Sequence, residues 1–181
     1  MPLEEKYGDS PLSLLIVGHN PSQHSWESGH YFSQPTNSFW RLIKEAGLCS
    51  IEIGLNDDYM VKNLSIGFTD VIRITNSDSS AFIKSDYDEE STFFYKRIND
   101  NAIRVGGTPQ RIAFIGKKQY SMLFDPPLPR VELGLQEIHP DNFPFECEIW
   151  VLATPSGRSP MKWEQRLKPY KELSLSMQNA F

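Results

Sequence analysis

Asn20 stands directly after the apolar run LSLLIV of residues 12–17 and its closing Gly18, with Pro21 holding the turn that follows. A short carboxamide pinned at the end of a buried strand can orient a water through hydrogen bonds while carrying no charge. Further along the same loop, Gly29-His30-Tyr31-Phe32 gathers rings that suit stacking on a planar ligand. Taken alone, an Asn-Pro pair after a strand is a turn, and loop aromatics cap a core. Downstream of a later apolar run, EIWVLAT at 148–154, the segment Ser156-Gly157-Arg158-Ser159 forms a polar turn. It could lie along a phosphate backbone or push a side chain into a duplex, although Ser-Gly turns are common surface loops. Lys162, Arg166 and Lys168 follow, and with Lys117, Lys118 and Arg158 they make a candidate basic rim, each also readable as part of a solvated helix face.

Other chemistries find less support. The phosphate-cradling GxxxxGK[ST] pattern is missing, because Gly116-Lys117-Lys118 lacks the earlier glycine and the hydroxyl residue, and there is no GxSxG elbow. His19, His24 and His30 fall close together, but their spacing on a loop is a poor metal signature and no CxxC accompanies them. Cys49 and Cys147 are far apart and read as half-buried thiols, outside any disulfide framework or zinc site. The acidic pairs Asp57-Asp58 and Glu89-Glu90 read as solvated turns on the periphery.

The elements that must position these residues follow from the pattern of the chain. Residues 12–17 are short, apolar and bounded by glycine, which predicts a strand buried on both faces. Phe39, Leu42, Ile43 and Ala46 recur at helical spacing between Asn37 and Gly47, predicting a helix over 37–47. Strands are expected at 66–74, 111–116 and 148–154, and helices around 90–105, at 117–123 and from Trp163 onward with Leu167, Tyr170 and Leu173 inward. Such alternation implies right-handed crossovers and a mainly parallel four-stranded sheet with helices on both faces. Ligands of such sheets sit beyond the carboxyl ends of the strands. Without repeats or a low-complexity linker, residues 1–181 are expected to form one domain, with 1–11 a flexible N-terminal segment.

Taken in order, GHNPS, GHYFSQPTNSFWRLIKEAGL, SIGFTDVIRIT, RIAFIGKKQYSMLF and VLATPSGRS resemble the mismatch-specific uracil and thymine DNA glycosylases of the uracil-DNA glycosylase superfamily, over roughly residues 12–175. The resemblance implies an α/β/α sandwich and hydrolysis of the N-glycosidic bond of uracil, or of thymine or another modified pyrimidine, mispaired with guanine. It implies neither metal nor cofactor. The target nucleotide would be flipped into a pocket, most cheaply at a mismatch. By the same resemblance Asn20, helped by Thr69, would hold the attacking water and Phe32 would stack on the extruded base. Gly18, His19 and Tyr31 would line the pocket, and Ser25 would stand near the pyrimidine C5 edge. The Ser156–Ser159 loop would fill the vacated stack, with Arg158 its longest side chain and able to add a phosphate or cation-π contact, and Lys162 of the basic rim is a further DNA-binding candidate. Four positions depart from the family pattern. His19 replaces an Ile, Ser22 a Gly, Thr154 an Asn or Met, and Pro160 a duplex-wedging Arg.

Eighteen Lys+Arg against 23 Asp+Glu leave a net charge of −5, so DNA would have to be held by a local cationic patch against an adverse overall field. That balance keeps a second class open, a protein of the same fold that binds DNA or a nucleobase without cleaving it. A small-nucleoside hydrolase finds no acidic metal cluster to support it. No run approaches the roughly 18–20 apolar residues of a membrane span, and the start, MPLEEKYGDSPLS, has no apolar signal region. The expectation is an intracellular monomer acting on mismatched double-stranded DNA, nuclear in a eukaryote and cytoplasmic in a bacterium.

Overall fold

A computed structural model describes residues 3–49, 56–76 and 78–179. In chain order these contain β1 (Leu14–Gly18), α1 (Gln23–Ser28), α2 (Phe39–Glu45), α3 (Asp57–Leu64), β2 (Ile66–Asp70) and α4 (Lys84–Val105). There follow β3 (Arg111–Ile115), α5 (Lys117–Ser121), β4 (Gly134–Leu135), β5 (Glu148–Leu152) and α6 (Trp163–Gln178). The sheet order is β2-β1-β3-β5-β4, with the first four strands parallel and β4 antiparallel to β5. The fifth strand is a two-residue edge with one side chain outward, too short to leave an alternation in the sequence.

Period-two alternation along the buried strands divides the interior into two layers. Leu14, Ile16, Ile66, Phe68, Ile115 and Leu152 face α2, α3 and α6, where Phe39, Leu42, Met60, Leu167, Tyr170 and Leu173 are buried. Leu15, Val17, Ile112, Phe114, Ile149 and Val151 face α4 and α5, meeting Tyr87, Phe94, Ile98 and Tyr120. Each such side chain contributes about 1.5–3 kcal/mol on burial. Cys49 is fully buried rather than half-buried, and both cysteines are free thiols.

Several boundaries shift from expectation. β2 stops at Asp70, and Val71 and Ile72 donate to the carbonyls of Gly18, the last residue of β1, and of His19 just past it. α4 begins at Lys84, where the Asp86 carboxylate accepts from the Ile83 N–H and satisfies a free donor of the first turn. α1 and α3 were not foreseen. Their caps are Ser22, which accepts from the Ser25 N–H, and Asn56, which accepts from the Tyr59 N–H.

The N-terminal segment, expected to be flexible, is docked over its described residues. Lys6 forms a two-bond antiparallel bridge with Phe68, and Leu3 and Tyr7 are buried. Met1 and Pro2 lie outside the described residues.

Candidate active site at the carboxyl ends of the strands

Where β1 runs out, its register partner at the end of β2 is Asp70, opposite Gly18. An added Cβ at Gly18 would lie 2.3 Å from Asp70 Oδ1 and 3.7 Å from Phe32 Cζ, so only glycine allows this approach. The chain then turns through His19, Asn20 and Pro21 into α1, reverses at Gly29 in the left-handed region, and returns through Tyr31 and Phe32. Phe32 itself has φ 52°, a conformation that costs a non-glycine residue energy and is held by its surroundings. Its ring stacks on Phe39 at 4.0 Å between centroids.

The holding group is Asp57. Read from sequence as a solvated turn, it is instead completely buried, and it accepts from the Tyr31 N–H and from His30 Nδ1, each at 2.7 Å. Lys6 Nζ, 3.0 Å from Asp57 and 2.7 Å from Asp58, balances the charge. His30, Asp57 and Asp58 cluster closely enough to suggest ligands for an ion, but that ammonium already sits against both carboxylates. Glu89 and Glu90 lie on α4.

These elements enclose a cleft of about 200 Å³ whose lining includes His19, Asn20, Ser25, Tyr31, Phe32 and Asp70. That is roughly seven waters' worth of liquid at ~30 Å³ each, enough for one substituted six-membered ring. Gln34, Asn37, Ser79, Thr154 and Ser156 line both this cleft and an adjoining open groove of about 780 Å³, which runs past Gly157, Arg158 and Ser159. The groove loop is anchored from beneath: Arg166 Nη2 donates to the carbonyls of Thr154 and Ser156 at 3.2 and 3.3 Å, and Ser38 N donates to that of Pro155 at 2.9 Å. Gly157 packs where a Cβ would come within 3.0 Å of the Thr36 carbonyl. The Arg158 side chain is exposed.

Asn20 is oriented by its surroundings. Its Nδ2 faces three backbone carbonyls, those of Asn76 at 2.8 Å, Ile74 at 3.3 Å and Pro21 at 3.4 Å, and its Oδ1 meets His19 Nδ1 at 2.7 Å. Burial pulls the His19 imidazole down to about 4, with Lys118 acting in the same direction and the Asn20 hydrogen bond opposing, so the ring is neutral near pH 7. Burial also raises the Tyr31 phenol, whose oxygen accepts from Arg73 Nη1 at 3.0 Å.

Of the residues singled out from sequence, His19, Asn20, Ser25, Tyr31, Phe32 and Ser156 meet at the cleft, Gly18 lies beneath it, and Gly157, Arg158 and Ser159 line the groove. Lys162 caps the start of α6, exposed, and lines neither. Thr69 is the clear departure. It registers with Val17, on the sheet face that looks toward α4, and its hydroxyl donates to Glu5. The next residue, Asp70, takes the cleft-facing place and was not anticipated. Its Oδ2 pairs with Arg73 Nη1 at 3.2 Å, and burial, opposed by Arg73 and reinforced by Glu5, raises its carboxyl to about 7. His139 lines a separate hollow with Gln136 and Cys147.

The result is a mainly parallel α/β sheet with a ring-walled cleft at its carboxyl edge, opening on a groove with an arginine loop. The chain matches the family model described as the uracil DNA glycosylase superfamily over residues 5–174, and it belongs to that superfamily. Members of the superfamily are DNA glycosylases and act on DNA. Among the described residues no helix is long and apolar enough to cross a membrane.

Proposed function

We infer that this protein is a monofunctional DNA glycosylase that hydrolyses the N-glycosidic bond of uracil, or of thymine or another modified pyrimidine, opposite guanine, the first step of base excision repair. The observation that carries this reading is the Asn20 carboxamide at the ring-walled cleft, its Nδ2 engaged by backbone carbonyls and its Oδ1 held by His19 Nδ1. In the mechanism, the nucleotide leaves the duplex and its base stacks on Phe32. The C1′–N1 bond then breaks with its electron pair leaving on the base. As oxocarbenium character develops at C1′, a water held by Asn20 Oδ1 adds there, and the proton it sheds passes through solvent to the departed base anion. A neutral amide suffices for this order of events, because alignment rather than proton abstraction is required. Ser25 flanks the cleft where a 5-substituent would lie, and Arg158 reaches toward the gap left in the duplex. Thr69 has no part in this scheme, since its hydroxyl serves Glu5.

The test is incubation of a duplex carrying one G·U pair with excess protein, followed by alkali. Strand scission at the uracil is expected, faster than at G·T because thymine is the poorer leaving group. Tight binding with no scission would instead make the protein a binding module, the reading that its net charge of −5 keeps in play.

A further inference from the structure

His19 is, with Ser22, one of the two places where the turn after β1 departs from the pattern that the sequence resembles, and both of its ring nitrogens are engaged. Nδ1 lies 2.7 Å from Asn20 Oδ1, and Nε2 is in short contact with the hydroxyl of Tyr87, a fully buried side chain in the first turn of α4. Tyr87 meets the imidazole edge-on at 5.5 Å between centroids, and Phe82 packs against it at 5.7 Å.

The protons in this chain have one consistent arrangement. Asn20 Nδ2 is surrounded by three carbonyls, so the atom that meets His19 is Oδ1, which can only accept. His19 Nδ1 must therefore carry the ring proton. A neutral imidazole has only one, so Nε2 is a bare lone pair and must accept, and Tyr87 is the group that donates to it. The phenol keeps its proton because burial moves it further above its ordinary range.

We propose that Tyr87 is a positioning residue: through His19 it fixes the plane of the Asn20 carboxamide, so that one lone pair of Oδ1 is taken by Nδ1–H and the other is left for the water in the cleft. The consequence for rate rests on the glycosylase reading, whereas the tautomer and the anchoring of the ring do not. The relay links α4, packed on one face of the sheet, to the cleft at the carboxyl ends of the strands.

Nitrogen-15 NMR of the histidine rings tests the first part directly. His19 is expected as the Nδ1–H tautomer, opposite to the Nε2–H form favoured by free imidazole side chains in water. In Tyr87→Phe its ring proton is expected to exchange with water faster. An Nε2–H tautomer in the wild-type protein, or exchange unaffected by the variant, overturns the proposal whether or not the protein cleaves DNA.

The second part is read from single-turnover excision. Tyr87→Phe is expected to slow it about three- to tenfold, the worth of one hydrogen bond, with duplex affinity unchanged. The same change made on His19→Ile is expected to have no further effect. An equal loss in both backgrounds would mean that Tyr87 acts through general packing, and would overturn the positioning role.

Discussion

Replacing Asp70 by asparagine is expected to stabilise the protein at pH 8 and to leave it nearly unchanged at pH 4. The Asp70 carboxyl is 3% exposed, and burial lifts it from 3.8 to about 7 in the folded chain. Between those two values the folded state keeps a proton that the unfolded state has lost, so this group's contribution to stability falls as pH rises from about 4 to about 7 and is then fully unfavourable. About three pKa units at 1.36 kcal/mol each set a ceiling of about 4 kcal/mol. The pairing with Arg73 already moderates that shift, and in the variant Nη1 still meets the Tyr31 oxygen, so a gain of about 2–4 kcal/mol is expected. At pH 4 the acid is neutral in the folded chain and still partly protonated in the unfolded one, so the difference shrinks below about 1 kcal/mol. Urea unfolding of both proteins at the two pH values measures it. A difference independent of pH, or a variant less stable at pH 8, would refute the assignment of a proton to this carboxyl.

Asn20→Ala should slow single-turnover excision at least about 100-fold, or about 2.7 kcal/mol of barrier, with an unchanged far-ultraviolet spectrum; a rate within threefold of wild type removes it from the chemistry. Gly18→Ala drives a methyl to 2.3 Å from Asp70 Oδ1 and should cost about 1–3 kcal/mol of stability in denaturant titrations. Asp57→Ala strips the buried acceptor from Tyr31, His30 and Lys6, and a loss of about 3–5 kcal/mol is expected. Arg158→Ala should weaken duplex binding and reduce the slope of log affinity against log salt by about one, measured by fluorescence anisotropy.

The order of strands and helices was legible because apolar runs such as LSLLIV at 12–17 and RIAFIG at 111–116 end at glycines, and the ligand edge follows from parallel topology. The parity of β2 was not. Gly67, Phe68, Thr69 and Asp70 are all buried, so no alternation of polar and apolar residues tells which of the last two faces the cleft. Only the register with Gly18 decides it. α3 carried a readable signal in Asn56 followed by two acids, a helix start with favourable charge in the first turn. That Asp57 is buried depends on Lys6 and His30, 51 and 27 positions away in the chain, and no local pattern reports it. The same holds for His19, whose partner Tyr87 lies 68 residues on.

Leu3 is part of the cleft lining, and its carbonyl accepts from Arg73. At the other extremity, α6 descends from the groove loop to the far rim of the sheet, where the Ser176 carbonyl meets Arg111 at the start of β3. A purification tag or fluorescent fusion joined ahead of residue 3 therefore emerges beside the mouth that must admit a nucleotide, whereas one joined after α6 leaves from the opposite rim. Expression vectors that append their cargo at the carboxyl end are the ones suited to assaying this protein.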